Sequence, residues 1–391
     1  MSQPSTLNAA ATRAERRDTP AKRERTATRT VFFMAGFATA AWAALVPFAK
    51  LNTGVGDGTL GMLLLCLGMG ALVAMPLTGV LTTRFGCRKV MLFAVVLFSL
   101  MLPLLSIIPS PWLLAVALVA FGIGIGTTDC AMNVQAIIVE KAAPRPLMSG
   151  FHGFYSIGGI AGAGAMSAMM SLGLSALLAS LIASGLVLVL LAASLRGFLP
   201  YANPAEGPAF AVPRGTVLVL GVICFAVFLA EGTVLDWSAI FLTEYRQLPD
   251  AQGGLGFACF AAAMTLGRLT GDSIVARLGQ HRVVVVGALL AAAGLFLTLW
   301  LPSWTAALVG YALIGIGCAN IVPVVFSAIG RQNSMPQAVA VPAVTTLGYL
   351  GVLAGPASIG FIAHHSSLAI AFGFVAVLML MVVLLAKVVK N

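Results

Sequence analysis

Apolar residues in this chain form long, nearly unbroken runs, and polar residues are gathered into the short gaps between them. The runs cover residues 30–51, 59–83, 90–108, 112–139, 147–170, 174–195, 215–242, 252–275, 282–301, 304–328, 337–361 and 367–388. A helix needs about 20 apolar residues to cross a bilayer at about 1.5 Å of rise per residue. In hydrocarbon no water bonds a free amide, so each run is predicted to be helical. The glycines and prolines inside the runs do not oppose this, because membrane helices tolerate both and small residues let helices approach closely. The pattern predicts an all-α polytopic membrane protein of twelve transmembrane helices with short connections.

Composition agrees. Of 391 residues, 60% are hydrophobic and 9% charged, against about 45–50% and about 25% in ordinary soluble domains. A soluble fold of this length could not hide that much apolar surface. The net charge of +10 reads as cytoplasmic retention of basic groups rather than as a nucleic-acid surface. Residues 1–29 are polar and carry seven basic side chains with three acids. They are expected to be a disordered cytoplasmic tail without a removable signal peptide. Cys66, Cys87, Cys130, Cys224, Cys259 and Cys318 show no C-x-x-C spacing, so they read as small core residues and not as a metal site or disulfide frame.

Orientation follows from the cations. With the N-terminus inside, the tails and the even-to-odd connections hold nineteen Lys and Arg residues, and the opposite connections hold only Lys50 and Arg246. This asymmetry places both termini in the cytoplasm.

The sequence also matches itself at an offset of 193 residues. Asp57 maps to Asp250, Gly61 to Gly254, Arg84 and Gly86 to Arg277 and Gly279, and Lys89 to Arg282. Pro109-Ser110 maps to Pro302-Ser303, Gly122-Ile123-Gly124 to Gly315-Ile316-Gly317, and Ala161-Gly162 to Ala354-Gly355. Matches in several connections and spans, all without a gap, predict two parallel six-helix halves, 30–195 and 215–391. They are joined by a proline-containing cytoplasmic linker, 196–214. Six plus six parallel helices is a transporter architecture.

The connection after the second run holds Gly79, Leu81, Thr83, Arg84, Gly86, Arg88 and Lys89, and its second copy holds Gly271, Asp272, Arg277, Gly279 and Arg282. This resembles the signature loop of the major facilitator superfamily, G-x-L-x-D-R-x-G-R-[KR]. Where that loop has its acid, this chain has Thr83 and Ala276; Asp272, one turn deeper, is the candidate replacement. Further segments are Met148–Gly162 with His152, Tyr155 and Ser156; Ala230-Glu231-Gly232 with Asp236-Trp237; Gly267-Arg268; and Gly348-Tyr349 with Gly355-Pro356. Together these resemble the YbjJ/MosC-type bacterial inner-membrane branch of the superfamily. The resemblance implies a secondary transporter and names no substrate.

Charged groups within spans carry the functional information, since an acid at bilayer depth costs about 2.5–3.5 kcal/mol on insertion scales unless it is paired, solvated or protonated. Glu231, Asp129 and Asp236 are the proton-coupling candidates. Glu231 comes first, as the acid nearest mid-span, and is expected to lack a cationic partner. Asp129 and Asn133 share a face of the fourth run, and His152 and Tyr155 a face of the fifth at similar depth. With Trp237, Asn320 and Tyr349 these are the candidates for a substrate cavity. The competing reading of the patch is an interhelical hydrogen-bond clamp. Arg268 and Asp272, four residues apart on the eighth run, are expected to pair with each other and to act in gating with the signature loop.

No P-loop, H-E-x-x-H or G-x-S-x-G motif is present, so neither an ATP-driven motor nor an enzyme is expected. No cofactor or metal is expected either. The expected function is alternating-access transport of a small solute, coupled to protons, by a monomer in the bacterial inner membrane. The alternatives are proton-driven efflux of amphipathic compounds and, more remotely, a non-transporting membrane sensor or scaffold.

Overall fold

A computed structural model of the protein describes residues 22–202, 212–249 and 252–390. Among these residues every regular element is helical: α1 Lys22–Thr53, α2 Asp57–Leu105, α3 Pro111–Lys141, α4 Met148–Ser171, α5 Ala176–Ser194, α6 Thr216–Ile240, α7 Leu255–Leu278, α8 Gln280–Trp300, α9 Trp304–Cys318, α10 Ile321–Ile329, α11 Gln337–His365 and α12 Leu368–Leu385. Nine helical stretches among the described residues are long and apolar enough to cross a membrane.

Three boundaries differ from the sequence reading. α1 begins at Lys22, so residues 22–29 of the expected tail are helical; the rest of that tail lies outside the described residues. The second and third runs join into one stretch, α2, because the turn between them is a single residue: Gly86, with φ 78° and ψ 159°. The tenth run is divided into α9 and α10 at Ala319 and Asn320. Asp250, half of one pair in the sequence repeat, lies outside the described residues, as do residues 203–211 of the linker.

The 193-residue repeat reappears in backbone geometry. Gly279, the counterpart of Gly86, has φ 77° and ψ 154°, and a non-glycine residue rarely adopts either conformation. Close packing repeats too. Gly122 lies against the Leu67 carbonyl and Gly315 against that of Phe260; Gly124 lies against the Ala94 carbonyl and Gly317 against that of Gly287. Both partners in each pair are displaced by 193. Small residues at these crossings let backbones touch, and that contact drives helix association where lipid removes the hydrophobic gain.

The two halves meet most tightly at the end of the bundle where α1 begins and α12 ends, here called the terminal end. There Gly79 of α2 abuts Ala338 and Pro342 of α11, and Gly153 of α4 abuts Leu269 of α7. At the other end Gly164 of α4 and Gly254 at the head of α7 have nothing within 4 Å of the place a Cβ would occupy. Ile160 and Leu266 are 58% and 66% exposed. α4 and α7 therefore diverge away from the terminal end, while α2 and α11 stay in contact at Gly68 and Leu353.

Candidate functional site

Arg268 stands where α4 and α7 begin to diverge. It is buried on α7, and burial obliges its guanidinium to find partners. One terminal nitrogen lies 3.6 Å from Oε1 of Glu231 on α6. The other donates to Oγ of Ser156 on α4 at 3.0 Å, and Nε donates to the Ala319 carbonyl at 3.4 Å. That carbonyl belongs to the break between α9 and α10. Beside it, Asn320 donates to the Gly267 carbonyl at 3.0 Å. One cation thus links three helical elements of the second half to the first half.

This corrects the expected pairing. Asp272 does not meet Arg268; its Oδ1 accepts the backbone N–H of Gly150 at 3.0 Å, across the two halves. Nor is Glu231 without a cation, because Arg268 stands against it. The physical reason is geometric. Asp272 lies one turn nearer the terminal end, level with the first turn of α4, where free helix N–H groups attract an acid.

The expected patch around Asp129 is placed as follows. The Asn133 amide donates to the backbone carbonyl of Asp129 at 2.9 Å on its own helix and is 1% exposed. The His152 ring lies between Phe32 and Phe326, at centroid distances of 5.1 and 5.8 Å. Both side chains are buried where the halves close, and among the described residues Asn133 Oδ1 and His152 Nε2 have no hydrogen-bond partner. Asp129 and Tyr155 remain half-buried. Tyr155 bonds to Thr39 of α1, and it lies within electrostatic reach of Asp129, Glu231 and Arg268. Tyr349 of α11 is within the same reach of Asp129 and Tyr155, and it meets Phe228 of α6 edge-on at 6.4 Å. Tyr155 thus lies within electrostatic reach of Asp129, of the Glu231–Arg268 pair and of Tyr349, residues drawn from both halves. Among the described residues no cation pairs with Asp129. Trp237 is half-buried with an unpartnered indole N–H, whereas Asp236 is exposed, one residue before it on α6.

Glu140, at the end of α3, was not singled out from the sequence. Its Oε2 accepts the N–H groups of Leu147 and Met148, at 2.8 and 2.7 Å. Its Oε1 accepts the hydroxyl of Ser327 on α10. Glu140 and Asp272 thus divide the free amides at the start of α4 between them, and both connect the halves. An acid within one short connection of a helix start is the sequence signal that could have found it.

In the signature loop, Thr83 donates to the Gly79 carbonyl of its own helix at 2.9 Å, so it does not replace the missing acid. Arg88 donates to the Phe198 and Arg196 carbonyls at 2.9 and 3.4 Å. The Arg88 amide donates to the Leu199 carbonyl at 2.8 Å. Arg84 lies over the Phe85 ring at 5.2 Å. In the second copy Arg277 and Arg282 are exposed on either side of Gly279. Among the described residues no group of three or more His, Cys, Asp or Glu residues is placed to hold a metal ion.

The comparisons with known proteins agree with this arrangement. The Major Facilitator Superfamily profile matches residues 30–242 and 220–390. An uncharacterized MFS-type transporter of Yersinia pestis is 50% identical over 95% of this chain and 97% of its own length. Membrane protein MosC of Rhizobium meliloti is 31% identical over 88% of this chain and 84% of its own. Among solved structures, the MFS transporter FucP in its outward conformation superposes with a TM-score of 0.79 at 14% identity, covering 94% of this chain and 98% of that one. The proton:xylose symporter XylE superposes with a TM-score of 0.70 at 14% identity, covering 93% and 94%. A helical bundle built from two repeated halves, closed at one end over polar contacts shared between them and matched along nearly its whole length by this profile, belongs to the major facilitator superfamily of membrane transporters.

Proposed function

We propose that the protein is a proton-coupled secondary transporter that moves a small polar solute across the bacterial inner membrane by alternating access. The observation that carries this reading is the buried Arg268, which pairs with Glu231 of the second half and donates to Ser156 of the first, with Tyr155 of the first half within electrostatic reach of both Arg268 and Asp129. Groups shared between the halves change their surroundings whenever the halves rock, and alternating access requires this. The positive-inside asymmetry makes the closed, terminal end cytoplasmic, so the cleft between α4 and α7 is outward-facing. The outward FucP structure supports that assignment of state. FucP and XylE are described as proton symporters of sugars, which favours uptake over efflux.

Asp129 is the proton carrier in this reading. A carboxylate at bilayer depth without a cation persists when it is solvated or protonated. In an outward cleft it exchanges both water and protons with the outside. Glu231 is held by Arg268 and is the less suitable carrier, since releasing that pair would leave a buried cation alone. In this reading Glu231, Tyr155, Tyr349 and Trp237 bind the solute.

The test begins with a thermal-shift screen of monosaccharides, polyols, amines and organic acids on the purified protein, because a ligand selective for the folded state raises its apparent stability. The hit is then added to proteoliposomes loaded with a pH dye. Solute-induced proton entry with the wild type, lost in Asp129→Asn while the thermal shift survives, is the expected result. Proton entry retained by Asp129→Asn removes Asp129 from coupling. Uptake with no proton movement in the wild type removes the coupling itself.

A further inference from the structure

On the membrane face of the first half, away from Arg268, a groove of about 370 Å³ runs between the two arms of α2 and across α3. Val73, Leu77 and Phe85 line it from one arm, Phe93 from the other, and Thr127 from α3. Apart from the Thr127 hydroxyl the lining is apolar until the end nearest Gly86, where Lys89 enters it. Val73 and Phe93 are 63% and 66% exposed, so the groove opens toward the bilayer.

The three cations of the signature loop are not equivalent. Arg88 is committed to the backbone carbonyls of Phe198 and Arg196. Lys89 is exposed, and among the described residues it has neither a hydrogen-bond nor an ion-pair partner. Among the described residues Arg84 meets only the ring of Phe85, which itself lines the groove. Among the described residues, two cations without an ion-pair partner therefore stand at one end of an apolar channel open to lipid.

We infer that this groove is a binding site for an anionic phospholipid, one acyl chain lying along Val73, Leu77 and Phe93 and the phosphate held by Lys89 and Arg84. The charge and the shape agree on this occupant. An acyl chain fills the apolar groove, and a headgroup at the interface meets the cations without burying them. On the orientation proposed above, the cations face the cytoplasmic leaflet, whose surface is negative, and basic sites between helices on that side bind acidic headgroups. A zwitterionic lipid offers the same chain, but its own cation offsets the attraction. Free phosphate offers the charge without the chain.

The test is native mass spectrometry of the purified full-length protein given equal amounts of phosphatidylglycerol and phosphatidylcholine of the same acyl composition. Preferential retention of phosphatidylglycerol is expected. Each of Lys89→Gln and Arg84→Gln should lower that retention about five-fold, as fits one cation near a charged surface, with phosphatidylcholine unaffected. Ile123→Trp, which fills the groove from α3, should lower retention of both lipids. Monodispersity and an unchanged thermal midpoint verify that each variant is folded. Equal retention of the two lipids by the wild type overturns the inference, and so does phosphatidylglycerol retention that neither Gln substitution changes. Competition by inorganic phosphate that abolishes lipid retention would assign the site to the free anion instead and equally overturn it.

Discussion

Asp272 of α7 accepts the backbone N–H of Gly150, at the start of α4, over 3.0 Å, so a carboxylate of one half caps a helix of the other. Opening the closed end must separate them and return both groups to water. A hydrogen bond to a charged group is worth about 1.5–3 kcal/mol, and the helix terminus adds to it. Asp272→Asn should therefore shift the balance toward the state open at the terminal end by about tenfold. Spin labels at Arg145 and Leu278, one on each half at that end, should report a longer distance in a larger fraction of molecules. An unchanged distance distribution would show that Asp272 is not part of the latch.

Glu140 gives an independent reading of the same latch. Its carboxylate bonds two amides at the start of α4 and the hydroxyl of Ser327. Ser327→Ala removes only the contact between halves and leaves the cap on α4. It should widen the same spin-label distance with little change in the thermal midpoint, whereas Glu140→Ala should do both. A midpoint loss in Ser327→Ala as large as that in Glu140→Ala would count against this separation.

The Glu231–Arg268 pair predicts asymmetric stability losses. Removing one member of a buried pair costs about 3–5 kcal/mol because the other charge is stranded, whereas replacing both is far milder. Arg268→Ala should therefore lower the thermal midpoint in detergent more than the double variant Glu231→Gln/Arg268→Gln does. If the double variant is the less stable, the pair contributes chiefly by its attraction and the ordering argued here fails.

Gly86 and Gly279 share a backbone conformation but not a neighbourhood. A Cβ at Gly86 would meet the Pro200 carbonyl, and one at Gly279 would meet nothing within 4 Å. Backbone with φ 77–78° and ψ 154–159°, a region nearly confined to glycine, costs an alanine about 1–3 kcal/mol. Gly279→Ala should show a loss of that size, and Gly86→Ala a clearly larger one. Thermal or denaturant unfolding of the two variants distinguishes strain alone from strain plus collision.

What the sequence made legible is what depends on composition and spacing. The apolar runs announced the helices, and the 193-residue offset, read from residues such as Gly122 and Gly315, recurs in the contacts Leu67–Gly122 and Phe260–Gly315 that the structure adds. The partner of Arg268 was not legible. A spacing of four residues made Asp272 the natural choice, but a helix only sets which side chains share a face. Which of them turns toward a neighbour is decided by the approach of α4 and α6, and no local pattern encodes it. Glu140 was passed over for the same reason, since an acid at a helix end reads as solvated until Ser327 from the other half is brought against it. His152 looked like a ligand-binding group, and the aromatic rings that enclose it come from α1 and α10, far away in the chain.

The chain leaving α5 is fastened before it departs. Arg88 holds the Phe198 carbonyl at 2.9 Å, and the Cys87 amide donates to Tyr201 at 3.4 Å. The amide of Leu199 donates to Gln135 of α3 at 2.9 Å, and Gln135 in turn donates to Thr28 of α1 at 3.0 Å. Residues 198–201 thus travel with the first half as part of its rigid body. The tether between the halves is therefore shorter than the stretch between α5 and α6. Glycine–serine insertions between Tyr201 and Gly215 would lengthen that tether. Insertions between Arg196 and Leu199 would instead tear out the anchor and leave the first half without its cross-brace.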